Sequence, residues 1–221
     1  MKQLEIEFST HGGRRDGAGR PRRAGRSNVW HRRRERHRGA HPVHVTLRLR
    51  AGLPPMREEV LFREIRRRIG EANRSAKLRG VFRVVHFSVQ DNHLHMIVEA
   101  HDGSALSRGV QGLAIRLARR VNALLDIRGP FFGDRFHSRE LTSPRAVRNA
   151  IVYVLMNAKK HGHRVLRADP LSSASWFDGF FGIAAPHDDA APVRPPRTWL
   201  GTVGWRRHGL VRLDERPRAP S

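Results

Sequence analysis

A chain of 221 residues with 43 Lys+Arg against 20 Asp+Glu carries a formal net charge of +23, so a polyanion, above all a nucleic acid, is the first partner to consider. The absence of cysteine excludes disulfide scaffolds, thiolate zinc sites and cysteine nucleophiles, leaving His, carboxylate and amide groups as the only metal donors. No apolar run approaches the ~18 residues of a membrane span, and the start MKQLEIEF lacks a signal peptide's positive flank, so a cytoplasmic protein of the bacterial cytosol or nucleoid is expected, with no membrane partner.

Residues 11–41 hold eleven arginines and almost no aliphatic side chains, so this stretch cannot bury enough apolar surface to fold alone. Within it, Gly19-Arg20-Pro21 with Arg22 and Arg23 resembles the core of an AT-hook, and a generic phosphate-binding tail is the plainer reading. From residue 42 the pattern changes: PVHVTLRLR alternates Val43, Val45, Leu47 and Leu49 with His44, Thr46, Arg48 and Arg50 at the period of a half-buried strand. After Pro54-Pro55, Leu61, Ile65, Ile69 and Ala72 recur at helical spacing, predicting a first helix that ends near Gly80. Val81–Gln90 and His93–Ala100, joined by Asp91-Asn92, read as two antiparallel strands. A second helix follows through Leu106, Val110, Leu113, Leu117, Val121 and Leu124, then a fourth strand in Pro130–Leu141. A third helix is bracketed by the N-cap Ser143, Pro144 and Gly162. The order β-α-β-β-α-β plus one helix predicts an α+β, ferredoxin-like fold whose antiparallel sheet has helices one and two on one face. The expected organisation is a basic arm (1–41), this domain (42–165) and a basic, aromatic extension (166–221) with an Ala/Pro-rich linker.

His93 and His95 flank Leu94 on the third strand, so both imidazoles leave one face and can share a metal ion. With 14 His in the chain about one His-x-His pair is expected by chance, and His161/His163 is a second. The first pair has the better context, two polar rings inside a sheet strand, and metal binding stands beside a satisfied structural role. Tyr153 is the chain's single tyrosine. On a 100° wheel, Val147, Ile151, Leu155 and Ala158 share one side of helix three, while Tyr153, Asn157, Asn149 and Lys160 lie on the other. A tyrosine there is available as a nucleophile, and the amide at i+4 as a ligand for Mg²⁺ or Mn²⁺; a surface tyrosine with a wet hydroxyl is the alternative.

The combination of HVTLRLR, DNHLHMIVEA, GDRFHSRELTSPRAVRN and YVLMNAKKHG, spanning about His44 to Gly162, resembles the HUH single-tyrosine transposases of the IS200/IS605 type, and within them the REP-associated tyrosine transposase branch. The resemblance implies that His93, His95 and Asn157 hold a divalent ion, Mg²⁺ or Mn²⁺, and that Tyr153 attacks single-stranded or hairpin DNA, leaving a 5′-phosphotyrosine. Arg20, Arg22, Arg23, Arg48 and Lys160 would hold the DNA backbone, and a homodimer is left open. Members often read Tyr-x-x-x-Asn-Pro, where this chain has Ala158. The rivals are a domesticated relative that binds hairpins without cutting them, a rolling-circle initiator or relaxase, and an RNA-binding ferredoxin-like domain. The last would need exposed aromatics on the central strands, where strict alternation places Phe82 and Phe87 on opposite faces.

Overall fold

The hydrophobic alternation of the first strand is realised in the computed structural model, which describes residues 37–160, 168–183 and 191–217. Strand β1 (Val43–Arg48) turns Val43, Val45 and Leu47 into the core. It is followed by α1 (Glu59–Arg74), β2 (Phe82–Val89), β3 (His93–Ala100), α2 (Gly103–Leu124), β4 (His137–Glu140), α3 (Pro144–Leu155) and α4 (Asn157–Lys160). The four strands form one sheet in the order β2-β3-β1-β4, every neighbouring pair antiparallel, which is the expected ferredoxin-like α+β arrangement.

Helices α1 and α2 cover one sheet face, where Leu61, Ile65 and Ile69 meet Val110, Leu113 and Leu117 over Val45, Leu94, Met96 and Val98. Asp102 caps α2 by accepting the Ala105 N–H at 2.7 Å, and Ser143 caps α3 by accepting that of Ala146 at 3.2 Å. Gly109 lets α2 settle on β2, since a Cβ there would lie 2.4 Å from the Phe82 ring. A β-bulge between Val84 and His86 inserts one residue into β2. The extra residue reverses the alternation, so Phe82 and Phe87 bury in the same core rather than on opposite faces, and neither is exposed to stack on a base.

Three expected elements differ from those observed. Helix α1 stops at Arg74, and a separate 3₁₀ turn, Ala76–Leu78, fills the stretch to Gly80, whose φ of +85° suits glycine. Of the expected fourth strand only His137–Glu140 forms a continuous ladder, while Phe132 makes an isolated antiparallel bridge to Leu49; Phe131 and Phe136 bury their rings from outside the ladder. Helix α3 ends at Leu155, with Met156 at φ −109° and ψ 9°, before α4 resumes; Gly162 lies outside the described residues, as do His161 and His163.

The C-terminal stretch, for which the sequence offers no function, packs against the domain. Residues 168–177 run beside β2: Val89 N–H donates to Leu171 O at 2.9 Å and Phe87 N–H to Ser173 Oγ at 2.9 Å. The Arg194 N–H reaches Val84 O at 3.0 Å, so these segments cover an edge that would otherwise invite another strand. Short α5 (Trp199–Thr202) and the 3₁₀ turn Gly204–His208 lie on α3. Glu99 of β3 accepts the Arg197 and Thr198 N–H groups and the Thr198 hydroxyl at 2.7, 3.0 and 2.7 Å. Arg148 of α3 forks onto Glu215 at 2.7 and 2.9 Å and also reaches the Gly209 and Leu210 carbonyls.

His86 of β2 packs against this C-terminal stretch, with its ring edge-on to Phe177 and its Nδ1 buried without a hydrogen bond. Burial lowers its pKa from 6.5 to about 4, partly opposed by Asp178. A histidine that stays neutral when folded but protonates when unfolded contributes fully above pH 6.5 and progressively less as pH falls towards 4, by up to about 3 kcal/mol. His86→Leu should therefore shrink the stability difference between pH 7.5 and pH 4.5 by roughly 2–3 kcal/mol in urea unfolding. An unchanged difference would show that His86 does not contribute to acid lability.

Candidate active site on the second sheet face

Because Val43, Val45 and Leu47 face α1 and α2, the intervening His44, Thr46 and Arg48 must face the other way, and on β3 the same holds for His93, His95, Ile97 and Glu99. The register sets Thr46 opposite His95, Arg48 opposite His93, Ser88 opposite His95, and Arg139 opposite His44. One polar lane thus runs across the sheet. Helix α3 lies over this face, closing it with Val147, Ile151 and Leu155 around Ile97.

Within the lane, His93 and His95 stack with ring centres 5.8 Å apart and planes 14° from parallel. The Nδ1 of His93 lies 2.6 Å from Asn92 Oδ1, and that of His95 lies 3.1 Å from Thr46 Oγ1. Hydrogen bonds at Nδ1 orient histidines that ligate through Nε2. His44 stacks on the other side of His95 at 5.5 Å. The Tyr153 ring stands edge-on to both, 5.4 Å from His95 and 5.6 Å from His44, and is half-buried. Burial, and then the nearby Arg139 guanidinium, lower the pKa of His44 to about 4, so this imidazole is neutral near pH 7.

The structure therefore brings His93, His95 and Tyr153 together, from two elements far apart in sequence. Asn157 is placed differently from the wheel. The break at Met156 ends the ideal helix, so Asn157 opens the next turn and is completely buried while Asn149 is exposed. Neither its Oδ1 nor its Nδ2 has a hydrogen-bond partner, and a fully buried amide left unpaired costs roughly 1–3 kcal/mol unless something else meets it. Two imidazoles and an orphaned amide are donors that suit a dication such as Mn²⁺ or Mg²⁺. Among the described residues no group of three or more His, Asp or Glu is disposed to hold a metal, so an ion here needs the amide.

Arg48 is exposed beside His93, and Arg139 and His137 are exposed on the same face at β4, giving the lane a cationic rim. Arg20, Arg22 and Arg23 and the side chain of Lys160 lie outside the described residues. Sequence reasoning passed over His44, Thr46 and Arg139 as site members. The signal was the polar phase of β1, which becomes informative only once β1 is paired with both β3 and β4.

Residues 52–154 match the family model described as "Transposase IS200 like", a stretch that includes His93, His95 and Tyr153 and stops short of Asn157. A solved structure of a REP-associated tyrosine transposase bound to a REP hairpin is similar in fold, with a TM-score of 0.52 and 19% identity over 64% of this chain and 81% of that one. No curated protein matches the chain. Among the described residues no helix is long and apolar enough to cross a membrane.

Proposed function

We propose that this chain, whose residues 52–154 match the IS200-like transposase family, cleaves and rejoins single-stranded, hairpin-associated DNA through a covalent link to Tyr153. The observation that carries the reading is the Tyr153 ring set edge-on to His95 at 5.4 Å, with His93 stacked behind. A nucleophile on a helix thereby meets a histidine pair on a strand, on a cationic face.

In the proposed reaction the Tyr153 oxygen attacks a backbone phosphorus, the bond to the 3′ oxygen breaks, and that oxygen leaves with a proton as a 3′-OH. A later 3′-OH reverses the exchange, so rejoining needs no ATP. When bound at His93, His95 and Asn157, a Mg²⁺ or Mn²⁺ ion supplies Lewis acidity to the phosphate oxygens. Thr46 and Asn92 hold the two imidazoles in orientation. His44 and His95 fix the tyrosine ring, and Arg48 and Arg139 draw the phosphate backbone onto the face.

The test is a labelled single strand that carries a hairpin drawn from the DNA flanking the coding sequence. Cutting should require Mg²⁺ or Mn²⁺, fail in EDTA and spare the fully paired duplex. Equal cutting in EDTA would remove the metal role, and tight binding without cutting would favour the hairpin-binding rival.

The arm contributes affinity in this reading, through Arg20, Arg22, Arg23 and their neighbours. Deleting residues 1–36 should weaken DNA binding and flatten the plot of log affinity against log salt by about 0.7–0.9 for each phosphate that the arm neutralises. An unchanged slope would show that the arm does not engage the DNA.

A further inference from the structure

Gln90 follows β2 at the turn into β3 and has no part in the reaction described above. Its backbone N–H donates to His93 O at 2.8 Å, which sets it directly opposite His93 in the antiparallel ladder. Residues opposite one another share a face, so the Gln90 side chain lies on the side that carries His93 and His95. Its Nε2 donates to Ser88 Oγ at 2.6 Å, and Ser88 is the partner of His95. The carboxamide is thus turned along β2 from the row of His93 towards the row of His95. Gln90 is 0% exposed, and its Oε1 is buried with no hydrogen-bond partner. Flipping the amide only exchanges which atom is left unmet.

Two fully buried amides therefore carry unmet polar atoms, Gln90 on the sheet face of His93 and Asn157 four residues after Tyr153. Native interiors rarely leave such groups unpaired without a water or an ion to meet them. We propose that Gln90 is a further oxygen donor to the divalent ion, making with His93, His95 and Asn157 a set of four neutral ligands; this rests on the metal reading given above. A neutral set leaves the ion's double charge uncompensated by the protein. Ion and DNA phosphate then reinforce each other, each tightening the other's binding by the same factor.

The experiment measures Mn²⁺ binding to the full-length protein without DNA, by calorimetry and by the Mn²⁺-induced rise in melting temperature. Gln90→Glu puts a carboxylate where the neutral oxygen sits. The ion-free variant should melt lower than wild type because it buries an uncompensated charge, and Mn²⁺ should raise its melting temperature by more than that of wild type, with binding at least tenfold tighter. Gln90→Met, similar in size but without the donor, should bind Mn²⁺ about tenfold more weakly, and it decides the matter alone if Gln90→Glu does not fold. A merely structural glutamine predicts no gain of affinity in Gln90→Glu. If both variants bind Mn²⁺ like wild type while His95→Ala does not, the inference falls and the metal reading stands. If His95→Ala binds Mn²⁺ as well as wild type, the metal reading falls and this inference with it.

Discussion

Tyr153→Phe should abolish the covalent protein–DNA adduct and lower strand cleavage by at least about a thousandfold, while leaving DNA binding and melting temperature close to wild type. The substitution removes one oxygen and keeps the ring, whose edge-on contacts with His44 and His95 are made by the ring itself. With one tyrosine in the chain, no second phenol can substitute. The readout is a denaturing gel of labelled substrate, scored for a species that survives boiling and is lost to protease. His95→Ala should instead slow cleavage with the nucleophile in place, and adding Mn²⁺ should recover less of it than in wild type. An adduct of undiminished yield in Tyr153→Phe would assign the nucleophile elsewhere. A wild type that cuts efficiently but never forms an adduct would indicate hydrolysis by water.

Where one periodicity held from end to end the sequence was easily read. Strand β3 begins and ends at His93 and Ala100 as its apolar run predicts, and the polar phase of β1 faces away from α1 and α2 as alternation requires. The failures came where burial and pairing part company. Phe131 and Phe136 made residues 130–141 look like a strand because their rings are buried, yet both lie outside the ladder, which is His137–Glu140 with a lone bridge from Phe132 to Leu49. The break at Met156 is invisible to a helical wheel because no Gly or Pro marks it, so the burial of Asn157 could not be seen. The same limit applies to the site. His93, His95 and Tyr153 stand out by residue type and spacing, whereas Thr46, Arg139 and Gln90 acquire meaning only from strand register. The C-terminal stretch lacked any period because each of its elements is too short to show one, although it carries the most deeply buried tryptophan among the described residues.

That tryptophan gives the largest expected effect on stability: Trp205→Ala should cost about 3–5 kcal/mol, a large share of the 5–15 kcal/mol typical of a whole domain. Trp205 is 2% exposed, its ring lies 5.5 Å from that of Phe177, and its Nε1–H donates to Gly201 O at 3.0 Å. Gly179 admits the ring, since a Cβ there would lie 2.4 Å from it. The side chain belongs to the same buried cluster as Val147, Ile151 and Leu155, so removing it opens a cavity against the helix that carries Tyr153. Arg148, Glu99 and the strand-edge hydrogen bonds still tether the segment, and the expected result is a loosened helix on an intact α1/α2 core rather than a lost fold. Calorimetry should show a melting temperature lower by roughly 10 °C, and hydrogen exchange should quicken in α3 more than in β1 or α2. Cleavage should fall even well below the melting temperature, because a tyrosine that no longer sits against His95 attacks from the wrong place. A melting temperature within about 2 °C of wild type would mean that the C-terminal segment does not hold α3, and with it the nucleophile, on the sheet.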